Sequence, residues 1–367
     1  MYLLRLLLLP VSWIYGVVMS IRNFCYDKKI FKSTSFPVAI INVGNLTVGG
    51  TGKTPHIEYL IRLLKESFRV ATLSRGYGRE TKGYMLVSNP SSTSMVGDEP
   101  MQYHTKFPEI IVSVGEDRVA AIENLLKLSP KPEVILMDDA YQHRAVKPGL
   151  NILLMEHDSL MKKNHMLPAG TLREWKTGMK RADVIIVSKC PEILVPIERK
   201  RLAEHIELLP NQKLFFSFFR YGEIVRLNSR QSSMFIGTNY YFEKRFTILL
   251  VTGIANPAGL AEFLKRKTDK LEIMTFRDHH EFTIEDLRSI TETFNNIANA
   301  NKIIVTTEKD AMRLRNPELE ESIRVLPIFY IPVQVLFHHN DKEIFDNLVL
   351  NHARQNQTNR YVYQGEN

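Results

Sequence analysis

A glycine-rich segment that directly follows an apolar, strand-like run constrains this chain most. Residues 38–43 read VAIINV, and residues 43–55 continue as VGNLTVGGTGKTP. A strand followed by such a turn and ending in Gly52, Lys53 and Thr54 is typical of a phosphate-binding loop. In such a loop the backbone N–H groups approach phosphate oxygens, the lysine supplies a cation, and the threonine hydroxyl can ligate Mg²⁺. The segment predicts a nucleoside triphosphate site at the carboxyl edge of a parallel sheet.

The loop departs from the general pattern G-x-x-x-x-G-K-[ST] at one position. Thr47 stands where the first glycine is expected, and Gly49 and Gly50 lie inside the loop instead. The alternative interpretation is an ordinary glycine-rich turn between a strand and a helix. Residues 57–65 carry apolar side chains at i, i+3, i+4 and i+7, which predicts a helix directly after the loop and favours phosphate binding.

Composition places the chain among folded globular proteins. It has 367 residues, of which 44% are hydrophobic and 24% are charged, and this length allows two domains. Forty-eight Lys and Arg against 40 Asp and Glu give a net charge of +8, which suits phosphates or an anionic membrane surface. We find no basic run interleaved with aromatic residues, and therefore expect no nucleic-acid partner. Cys25 and Cys190 have no CxxC or His-rich neighbours, which indicates a reducing compartment without a disulfide framework.

The first 21 residues, MYLLRLLLLPVSWIYGVVMSI, are the most apolar part of the chain. A cleaved signal peptide does not fit, because Arg5 interrupts the run and no small-x-small site follows. Three alternatives remain: a helix in the membrane interface, a spanning helix, and a helix packed on the protein's own core. Only 16 residues separate Arg5 from Arg22, fewer than the about 20 of a typical span, so we favour the interface. The side chains suited to headgroups and anionic lipid are Tyr2, Trp13, Tyr15, Arg22, Lys28, Lys29 and Lys32.

Apolar, β-branched runs alternate with helical patterns along the rest of the chain. This predicts an α/β fold, a P-loop NTPase-like doubly wound and mostly parallel sheet, with a second smaller α/β domain. The expected strands are 38–43, 70–73, 110–114, 134–137, 151–155, 184–188, 246–251, 271–276 and 302–306. Two further extended runs, 214–227 and 328–337, are expected to pair as a two-stranded connector that acts as a hinge.

The resulting domain limits follow the changes in pattern. We predict a membrane-associated helix at 1–30, a P-loop core domain at 31–212, a connector at 213–244 with a polar stretch at 228–244, and a second α/β domain at 245–325. A return strand, a C-terminal helix and a loose polar tail after about Ala353 complete the chain at 326–367.

An apolar strand that ends in two acids supplies a candidate metal site. Residues 134–139 read VILMDD, and in a P-loop protein a carboxylate at this position holds Mg²⁺ directly or through water. Asp138 and Asp139 would otherwise repel each other, and a cation relieves that repulsion. A solvated turn is the alternative. Residues 141–144, YQHR, extend the acids into a polar cluster.

Three loops carry further candidates. Asp98, in the segment GDEP (97–100), is either a helix cap or a general base that accepts a proton from a hydroxyl group. Arg75 lies in the glycine-rich loop LSRGYGR (73–79), and Arg173 in LPAGTLRE (167–174). The triplet Asp-His-His at 278–280 is an improbable metal site, because adjacent side chains on an extended chain point in opposite directions. His279 alone, aimed across an interdomain cleft at Asp98, would orient that carboxylate or tune its pKa.

Taken together, these segments make the chain resemble the tetraacyldisaccharide 4′-kinase family of lipid A biosynthesis. The motifs that carry the resemblance span about 270 residues in family order. They are GNLTVGGTGKTP (44–55), LSRGYGR (73–79), GDEP (97–100), DDAYQHR (138–144), LPAGTLRE (167–174), TGIANP (252–257), DHH (278–280) and TTEKDAMRL (306–314). The family loop itself carries Thr or Ser at the position of Thr47. Two small departures from the family pattern affect local loop shape. A Gly and an apolar residue would be expected between Asp139 and Gln142, and prolines are usual at the positions of Thr171 and Trp175.

The resemblance implies transfer of the ATP γ-phosphate to the 4′-hydroxyl of a tetraacylated glucosamine disaccharide 1-phosphate, at the cytoplasmic face of the inner membrane. Its implied cofactors are ATP and Mg²⁺, its partners are the amphiphilic lipid substrate and the membrane surface, and no obligate protein partner is inferred. The implied nucleotide-binding residues are Thr47, Val48, Gly49, Gly50, Thr51, Gly52, Lys53 and Thr54. The implied metal ligands are Thr54, Asp138 and Asp139, the catalytic residues Asp98, His279, Lys53 and Asp139, and the substrate contacts Arg75, Gln142 and Arg173.

Two other functions compete with this one. The first is a P-loop kinase or ATP-dependent ligase that acts on a soluble small molecule. The second is a membrane-associated NTPase switch that hydrolyses ATP without a phosphorylated acceptor. A switch does not need a second catalytic lobe, so the segments around Asp98 and His279 favour the kinase.

Overall fold

The computed structural model describes residues 2–88, 91–227 and 239–364. The strands are β1 (Ala39–Asn45), β2 (Val70–Ser74), β3 (Met85–Leu86), β4 (Ile111–Val114), β5 (Val134–Asp138), β6 (Leu150–Glu156), β7 (Val184–Ser188), β8 (Lys213–Tyr221), β9 (Val225–Arg226), β10 (Thr247–Thr252), β11 (Leu271–Thr275), β12 (Lys302–Thr307), β13 (Ile328–Ile331) and β14 (Val333–Phe337).

Helices lie between most of these strands. They are α1 (Tyr2–Asp27), α2 (Lys53–Leu64), α3 (Thr93–Val96), α4 (Asp98–Lys106), α5 (Arg118–Leu126), α6 (His157–Leu160), α7 (Pro196–Ile206), α8 (Asn239–Glu243), α9 (Ala258–Lys265), α10 (Ile284–Asn296), α11 (Glu308–Leu314), α12 (Glu320–Arg324) and α13 (Asp341–Gln364). Two 3₁₀ turns cover Lys176–Arg181 and Pro317–Leu319.

The strands form two sheets. The larger has the order β14-β8-β7-β6-β1-β5-β2-β4-β3 and is parallel except for β14 and β3, which pair antiparallel with β8 and β4. The smaller has the order β11-β10-β12-β13-β9, in which only β9 is antiparallel. The predicted α/β fold, with a large mostly parallel sheet and a second smaller sheet, is confirmed. Each predicted strand outside the connector agrees with the observed one to within two residues, because short β-branched runs buried on both faces suit central parallel strands.

Helices cover both faces of the larger sheet, as a doubly wound fold requires. On one face α2 packs through Ile57, Leu60 and Leu64, together with Phe345 of α13. On the other face α5 packs through Ile122 and Leu125. This arrangement buries β1 at the centre of the sheet and leaves the carboxyl ends of its strands as the one edge where loops can assemble a site.

The connector differs in detail from the prediction. Both extended runs break at the same level, where the Gly222 N–H donates to the Pro332 carbonyl oxygen at 2.9 Å. On one side of the break β8 pairs with β14 in the larger sheet, and on the other side β9 pairs with β13 in the smaller sheet. Proline cannot donate to a ladder, so it ends one strand and lets the next begin. The two runs do pair, and they carry the chain from one sheet to the other side by side.

The end of the chain also differs from the prediction. The tail expected to be loose after Ala353 continues α13 as helix to Gln364, because no glycine or proline interrupts residues 341–364. Much of the polar stretch predicted at 228–244 lies outside the described residues, and its last part forms α8. The five domain limits themselves stay a prediction.

Candidate functional site

The predicted phosphate loop connects the end of β1 with the start of α2. Gly49 and Gly52 adopt left-handed backbone angles, with φ of 111° and 89°. A Cβ atom at Gly52 would collide with the ring of Phe219, so the position requires glycine for space as well as for conformation. The loop therefore has the backbone that would bring several N–H groups toward one anion at the N-terminus of α2.

Neighbouring strands hold this loop in place. The Asn45 side-chain amide donates to the Thr51 hydroxyl at 2.9 Å, and the Ser188 hydroxyl, at the end of β7, donates to the Thr51 carbonyl at 2.8 Å. The Val48 N–H donates to the Thr171 carbonyl at 2.7 Å, and Thr47 forms an isolated bridge with Leu172. The loop is thus preorganised by β1, β7 and the segment that follows β6.

His56 fixes the first turn of α2 from within the core. Its Nδ1 lies 2.7 Å from the Gly52 carbonyl oxygen and its Nε2 lies 3.0 Å from the Ser217 hydroxyl, which fits a neutral ring that donates to the first and accepts from the second. Burial lowers the pKa of His56 to about 4, although the hydrogen bond to Gly52 opposes this shift. The neutral ring ties the phosphate loop to β8.

Lowering the pH from 7 to 4 is expected to destabilise the native chain more than a His56→Gln variant. With a depressed pKa in the folded state, His56 contributes stability that is fully present above pH 6.5 and is lost as the pH falls toward 4. The expected difference is about 3 kcal/mol in the free energy of unfolding. Urea unfolding of both chains at the two pH values measures it, and equal losses in the two chains would contradict the assignment.

The two acids at the end of β5 have different environments. Asp139 has a left-handed φ of 51°. Its carboxylate accepts hydrogen bonds from both terminal nitrogens of Arg173, at 2.8 and 3.0 Å. Lys53 Nζ lies 3.6 Å from the same carboxylate. Burial alone would raise the pKa of Asp139, but the charges of Lys53 and Arg173 outweigh burial and lower the pKa. Asp139 is therefore an ionised anchor for two cations.

Asp138 has an unused oxygen. Its Oδ2 accepts the Tyr103 hydroxyl at 2.8 Å, whereas its buried Oδ1 has no hydrogen-bond partner among the described residues. Burial and the charges of Glu99 and Asp139 raise the pKa of Asp138 to about 6. A buried, unpartnered carboxylate oxygen next to the phosphate loop suits a hard cation.

A metal at this site would have few protein ligands. Within residues 2–88, 91–227 and 239–364, no three His, Cys, Asp or Glu side chains form a metal-binding group. One or two carboxylates, the Thr54 hydroxyl and nucleotide phosphate oxygens would have to complete the coordination, which is how Mg²⁺ is usually held at such sites.

Asp98 is the first residue of α4 and contacts two side chains from the half of the molecule that contains the smaller sheet. His279 Nδ1 lies 3.1 Å from its Oδ2, and the Arg313 Nε and Nη2 atoms donate to the same oxygen at 2.9 and 2.5 Å. Burial would raise the pKa of Asp98, but the hydrogen bonds from His279 and Arg313 and the charges of Arg313 and Lys309 lower it to about 2. The structure thus brings His279 to Asp98, and it adds Arg313, which sequence reasoning missed because its segment showed only a family motif.

The other two residues of the Asp-His-His triplet lie elsewhere. The His280 Nε2 atom pairs with Asp286 at 2.8 Å, and its ring stacks on Phe276. Asp278 accepts the backbone N–H of His279 at 3.1 Å, which helps to set the left-handed turn at His279. Only His279 of the triplet contacts Asp98, and the turn rather than the alternation of an extended strand separates it from its two neighbours.

Gln142 ties two segments of the site together. Its side-chain amide donates to the Asn45 carbonyl and to the Glu174 carboxylate, both at 2.9 Å, so both of its N–H donors are used. Arg173 is likewise engaged, with Asp139. In this structure protein groups occupy both amide donors of Gln142 and engage the two terminal nitrogens of Arg173.

Arg75 is exposed at the end of β2, and its charge acts on the nearby Arg118. The buried Arg118 has two guanidinium nitrogens, Nε and Nη2, without a hydrogen-bond partner in the described part of the chain. Two nitrogens of Arg79 are in the same state. Burial and the charges of Arg118 and Arg75 lower the pKa of His143 to about 4. Nothing in the sequence around Arg118 marks it as a buried residue, so the sequence alone did not identify it.

The helix α1 is docked on this site through its polar face. The Ser12 hydroxyl accepts the Ala169 N–H at 2.9 Å, and the Tyr15 hydroxyl donates to the Arg173 carbonyl at 3.1 Å. Arg22 donates to the Gln142 carbonyl at 2.8 Å, and Asn23 donates to Glu174 at 2.9 Å. The prediction that Tyr15 and Arg22 face lipid is therefore wrong, because hydrogen bonds turn both side chains toward the protein.

The opposite face of α1 is apolar and exposed. Its exposed side chains are Leu7, Val11, Trp13, Ile14, Val17, Val18, Ile21 and Phe24. By length and composition the segment Leu7–Asp27 could cross a membrane, and only 11% of its most apolar window is buried in the protein. The alternative in which this apolar surface packs on the protein's own core does not describe the structure.

Comparisons with known proteins agree over nearly the whole chain. The family model described as Tetraacyldisaccharide-1-P 4′-kinase matches residues 4–354. The Tetraacyldisaccharide 4′-kinase of Bacteroides thetaiotaomicron is 44% identical over 98% of this chain and 96% of its own length, and that of Flavobacterium johnsoniae is 44% identical over 97% and 99%. A crystal structure of LpxK from Aquifex aeolicus in complex with ATP is similar with a TM-score of 0.71, at 30% identity, covering 95% of this chain and 99% of that one.

Proposed function

Because this chain belongs to the tetraacyldisaccharide 4′-kinase family of lipid A biosynthesis, we propose which of its residues carry the reaction. The γ-phosphate of ATP is transferred to the 4′-hydroxyl of a tetraacylated glucosamine disaccharide 1-phosphate. The supporting observation is that α4 links the two halves of the site: Asp98, at its start, contacts His279 on the turn after β11 and Arg313 of α11, and Tyr103 in its middle binds Asp138 beside the phosphate loop. The reaction is an in-line transfer in which positioning and electrostatics do most of the catalysis.

The nucleotide binds at the loop between β1 and α2. Residues 47–54 would surround the phosphates with backbone N–H groups, and the relative from Aquifex aeolicus was crystallised in complex with ATP. Lys53, held 3.6 Å from Asp139, places its ammonium group where negative charge accumulates on the transferred phosphoryl group. Asp139 keeps Lys53 and Arg173 in place.

Mg²⁺ would be held by Asp138 and Thr54, with Asp139 in a supporting position. The unpartnered Oδ1 of Asp138 favours it as the direct ligand, because both oxygens of Asp139 are engaged by Arg173. When bound, the ion neutralises charge on the phosphate oxygens. The raised pKa of Asp138 expresses the cost of a buried charge that a cation would remove.

The Mg²⁺ dependence separates the two acids. Asp138→Asn is expected to raise the Mg²⁺ concentration for half-maximal activity by at least about tenfold, because it removes the direct ligand. Asp139→Asn is expected to lower kcat through Lys53 and Arg173 while the Mg²⁺ requirement stays within about threefold. A Mg²⁺ titration at saturating ATP measures both variants, and the reverse pattern would assign the ligand to Asp139.

Asp98 accepts the proton of the acceptor hydroxyl, and His279 assists it. The low pKa keeps the carboxylate ionised at every pH of interest, so it is always ready to accept a hydrogen bond from the hydroxyl. Because the transition state of phosphoryl transfer is loose, the nucleophile needs orientation more than a strong base. His279, on the turn after β11, orients Oδ2.

The acceptor's phosphate binds in the basic region after β2. Arg75 supplies an exposed guanidinium, and the unpartnered nitrogens of Arg118 supply buried donors beside it. Buried unpartnered donors are costly, and an anionic ligand would satisfy them. Gln142 positions Glu174, and Arg173 positions Asp139. Arg75 is therefore a better candidate for a direct substrate contact than Gln142 or Arg173.

The helix α1 attaches the enzyme to the inner membrane, where family members act. With its polar face fixed to the protein from Ser12 to Asn23, lipid cannot surround the helix, and this favours an interfacial position over a span. The exposed apolar face then lies in the membrane, beside the site that receives the amphiphilic substrate. The proposed location of the site is the cytoplasmic surface, because ATP is available there.

Removing the apolar face is expected to release the enzyme from vesicles. Changing Trp13, Ile14, Val18 and Ile21 together to Gln should weaken binding to anionic vesicles by at least about tenfold, because each buried large apolar side chain contributes on the order of 1.5–3 kcal/mol. Vesicle sedimentation measures the effect. Val325→Gln with Ile344→Gln, which change exposed apolar side chains far along the chain, is the matched control. Unchanged sedimentation of the α1 variant would contradict the interfacial assignment.

A further inference from the structure

The helices α4 and α11 face each other across the boundary between the two sheets and carry complementary charges. Asp98 pairs with Arg313 at 2.5 Å, Glu99 pairs with Lys309, and Lys106 pairs with Glu308 at 2.6 Å. Two acids and a base on α4 thus meet two bases and an acid on α11. The three pairs lie at both ends of α4, so they fix its direction as well as its position.

Arg313 is held by its own half of the molecule. Its side chain is only 3% exposed, and Nη1 donates to the Gly253 carbonyl at 2.9 Å and to Asp310 at 2.8 Å. Asp310 in turn accepts the Gly253 N–H at 3.0 Å and the Thr307 hydroxyl at 2.7 Å. The guanidinium therefore reaches Asp98 from a position set by the turn after β10 and the start of α11, and Asp98 must adjust to it.

The contacts divide the two oxygens of Asp98. Oδ2 accepts all three hydrogen bonds, two from Arg313 and one from His279. Oδ1 accepts none from any residue in the described ranges. A carboxylate with one oxygen fixed by a rigid arginine has its second oxygen aimed in one direction, where a hydroxyl group can approach.

We propose that α11 is a docking helix that aligns the carboxylate of Asp98: Arg313 fixes Oδ2, the Glu99–Lys309 pair keeps α4 in register, and Oδ1 is left for the acceptor hydroxyl. Arg313 and Lys309 are positioning residues, since they act through Asp98 and Glu99. The inference rests on the proposed role of Asp98 as the residue that accepts the hydroxyl proton.

The contacts between α4 and α11 extend to α2, the helix that follows the phosphate loop. Lys106 bridges Glu308 of α11 and Glu58 of α2, each at 2.6 Å, and Glu58 is completely buried. The helix that begins at the phosphate loop, the helix that begins at Asp98 and the helix that carries Arg313 thus form one ionic network. Since the two sheets are joined by the paired strands at Gly222 and Pro332, undocking of the smaller sheet would break all three α4–α11 pairs together.

A charge exchange at the partly exposed Glu99–Lys309 pair tests the docking helix. Lys309→Glu and Glu99→Lys are each expected to lower kcat about tenfold with the KM for ATP within about threefold, and the double exchange is expected to restore kcat to within about threefold of the native value. Arg266→Gln, which breaks an exposed pair with Glu262 at the end of α9 in the same half, is the matched control and should leave kcat unchanged. Single variants with native kcat, or a double exchange as slow as the singles, would overturn the proposal.

A second set of variants asks whether Arg313 acts through Asp98. Arg313→Gln should lower kcat at least about tenfold, Arg313→Lys should recover part of the loss, and in an Asp98→Asn background Arg313→Gln should cost almost nothing further. Additive losses would show a general structural role and overturn the proposal. If Asp98→Asn itself keeps native kcat, the proposed role of Asp98 fails; if it is slow while Arg313→Gln is native, only the docking inference fails.

Discussion

Replacing Lys53 with alanine is expected to lower kcat by about 10²-fold or more, on the order of 3 kcal/mol of transition-state stabilisation. Lys53 is the first residue of α2, its side chain is 15% exposed, and Asp139 holds its ammonium 3.6 Å away. Such a preorganised cation stabilises charge that develops during transfer, in a site that excludes most water. Steady-state kinetics with varied ATP would show the loss mainly in kcat.

A control distinguishes this effect from a general loss of charge. Lys65, just beyond the end of α2, pairs with Glu109 and Glu66 at the surface. Lys65→Ala should change kcat by less than about twofold, because exposed pairs contribute little. A Lys53→Ala enzyme with kcat similar to that of Lys65→Ala would contradict the assignment of residues 47–54 to the nucleotide.

Replacing Asp98 with alanine is expected to have a loss of similar size, about 10²-fold or more in kcat. The variant removes both the oxygen that receives the hydroxyl proton and the partner of His279 and Arg313. Asp98→Asn separates these contributions, because it keeps the shape of the side chain and removes the charge. Both variants should be slow, and His279→Ala should be slowed less than either.

The comparison among these variants identifies the base. Near-native turnover of Asp98→Ala would remove Asp98 from this role. A larger loss in His279→Ala than in Asp98→Ala would make His279 the primary candidate. Phosphate transfer to the lipid acceptor at saturating ATP is the measurement in each case.

The sequence predicted the architecture well where local pattern determines structure. β1, β5 and β7 are short, apolar and buried on both faces, so their runs identify them without knowledge of the tertiary fold. The phosphate loop was predicted from its glycines, and the left-handed angles at Gly49 and Gly52 explain why glycine is needed there. The break of the connector at Gly222 and Pro332 was missed, because it depends on how two distant runs align.

Within the site, the types of the candidate residues could be predicted from the sequence, but the contacts of each residue could not. Asp138 and Asp139 are adjacent and chemically identical, and only tertiary contacts leave one oxygen of Asp138 unpartnered while both oxygens of Asp139 bind Arg173. Arg313 lies more than 200 residues from Asp98 along the chain, so no spacing rule relates the two. The polar docking face of α1 was equally hidden, since the sequence does not say what its polar side chains contact.

A phosphate-transfer assay with γ-labelled ATP is the most decisive test of the proposed reaction. The purified protein in detergent would be mixed with labelled ATP, Mg²⁺ and tetraacyldisaccharide 1-phosphate, and the lipid would be separated and counted. We expect label in a bis-phosphorylated lipid, attached at the 4′-hydroxyl. We expect the labelled lipid to be lost in the Lys53→Ala and Asp98→Ala variants. Label in free phosphate alone, with no labelled lipid, would contradict the account and point to an NTPase switch or to a soluble acceptor.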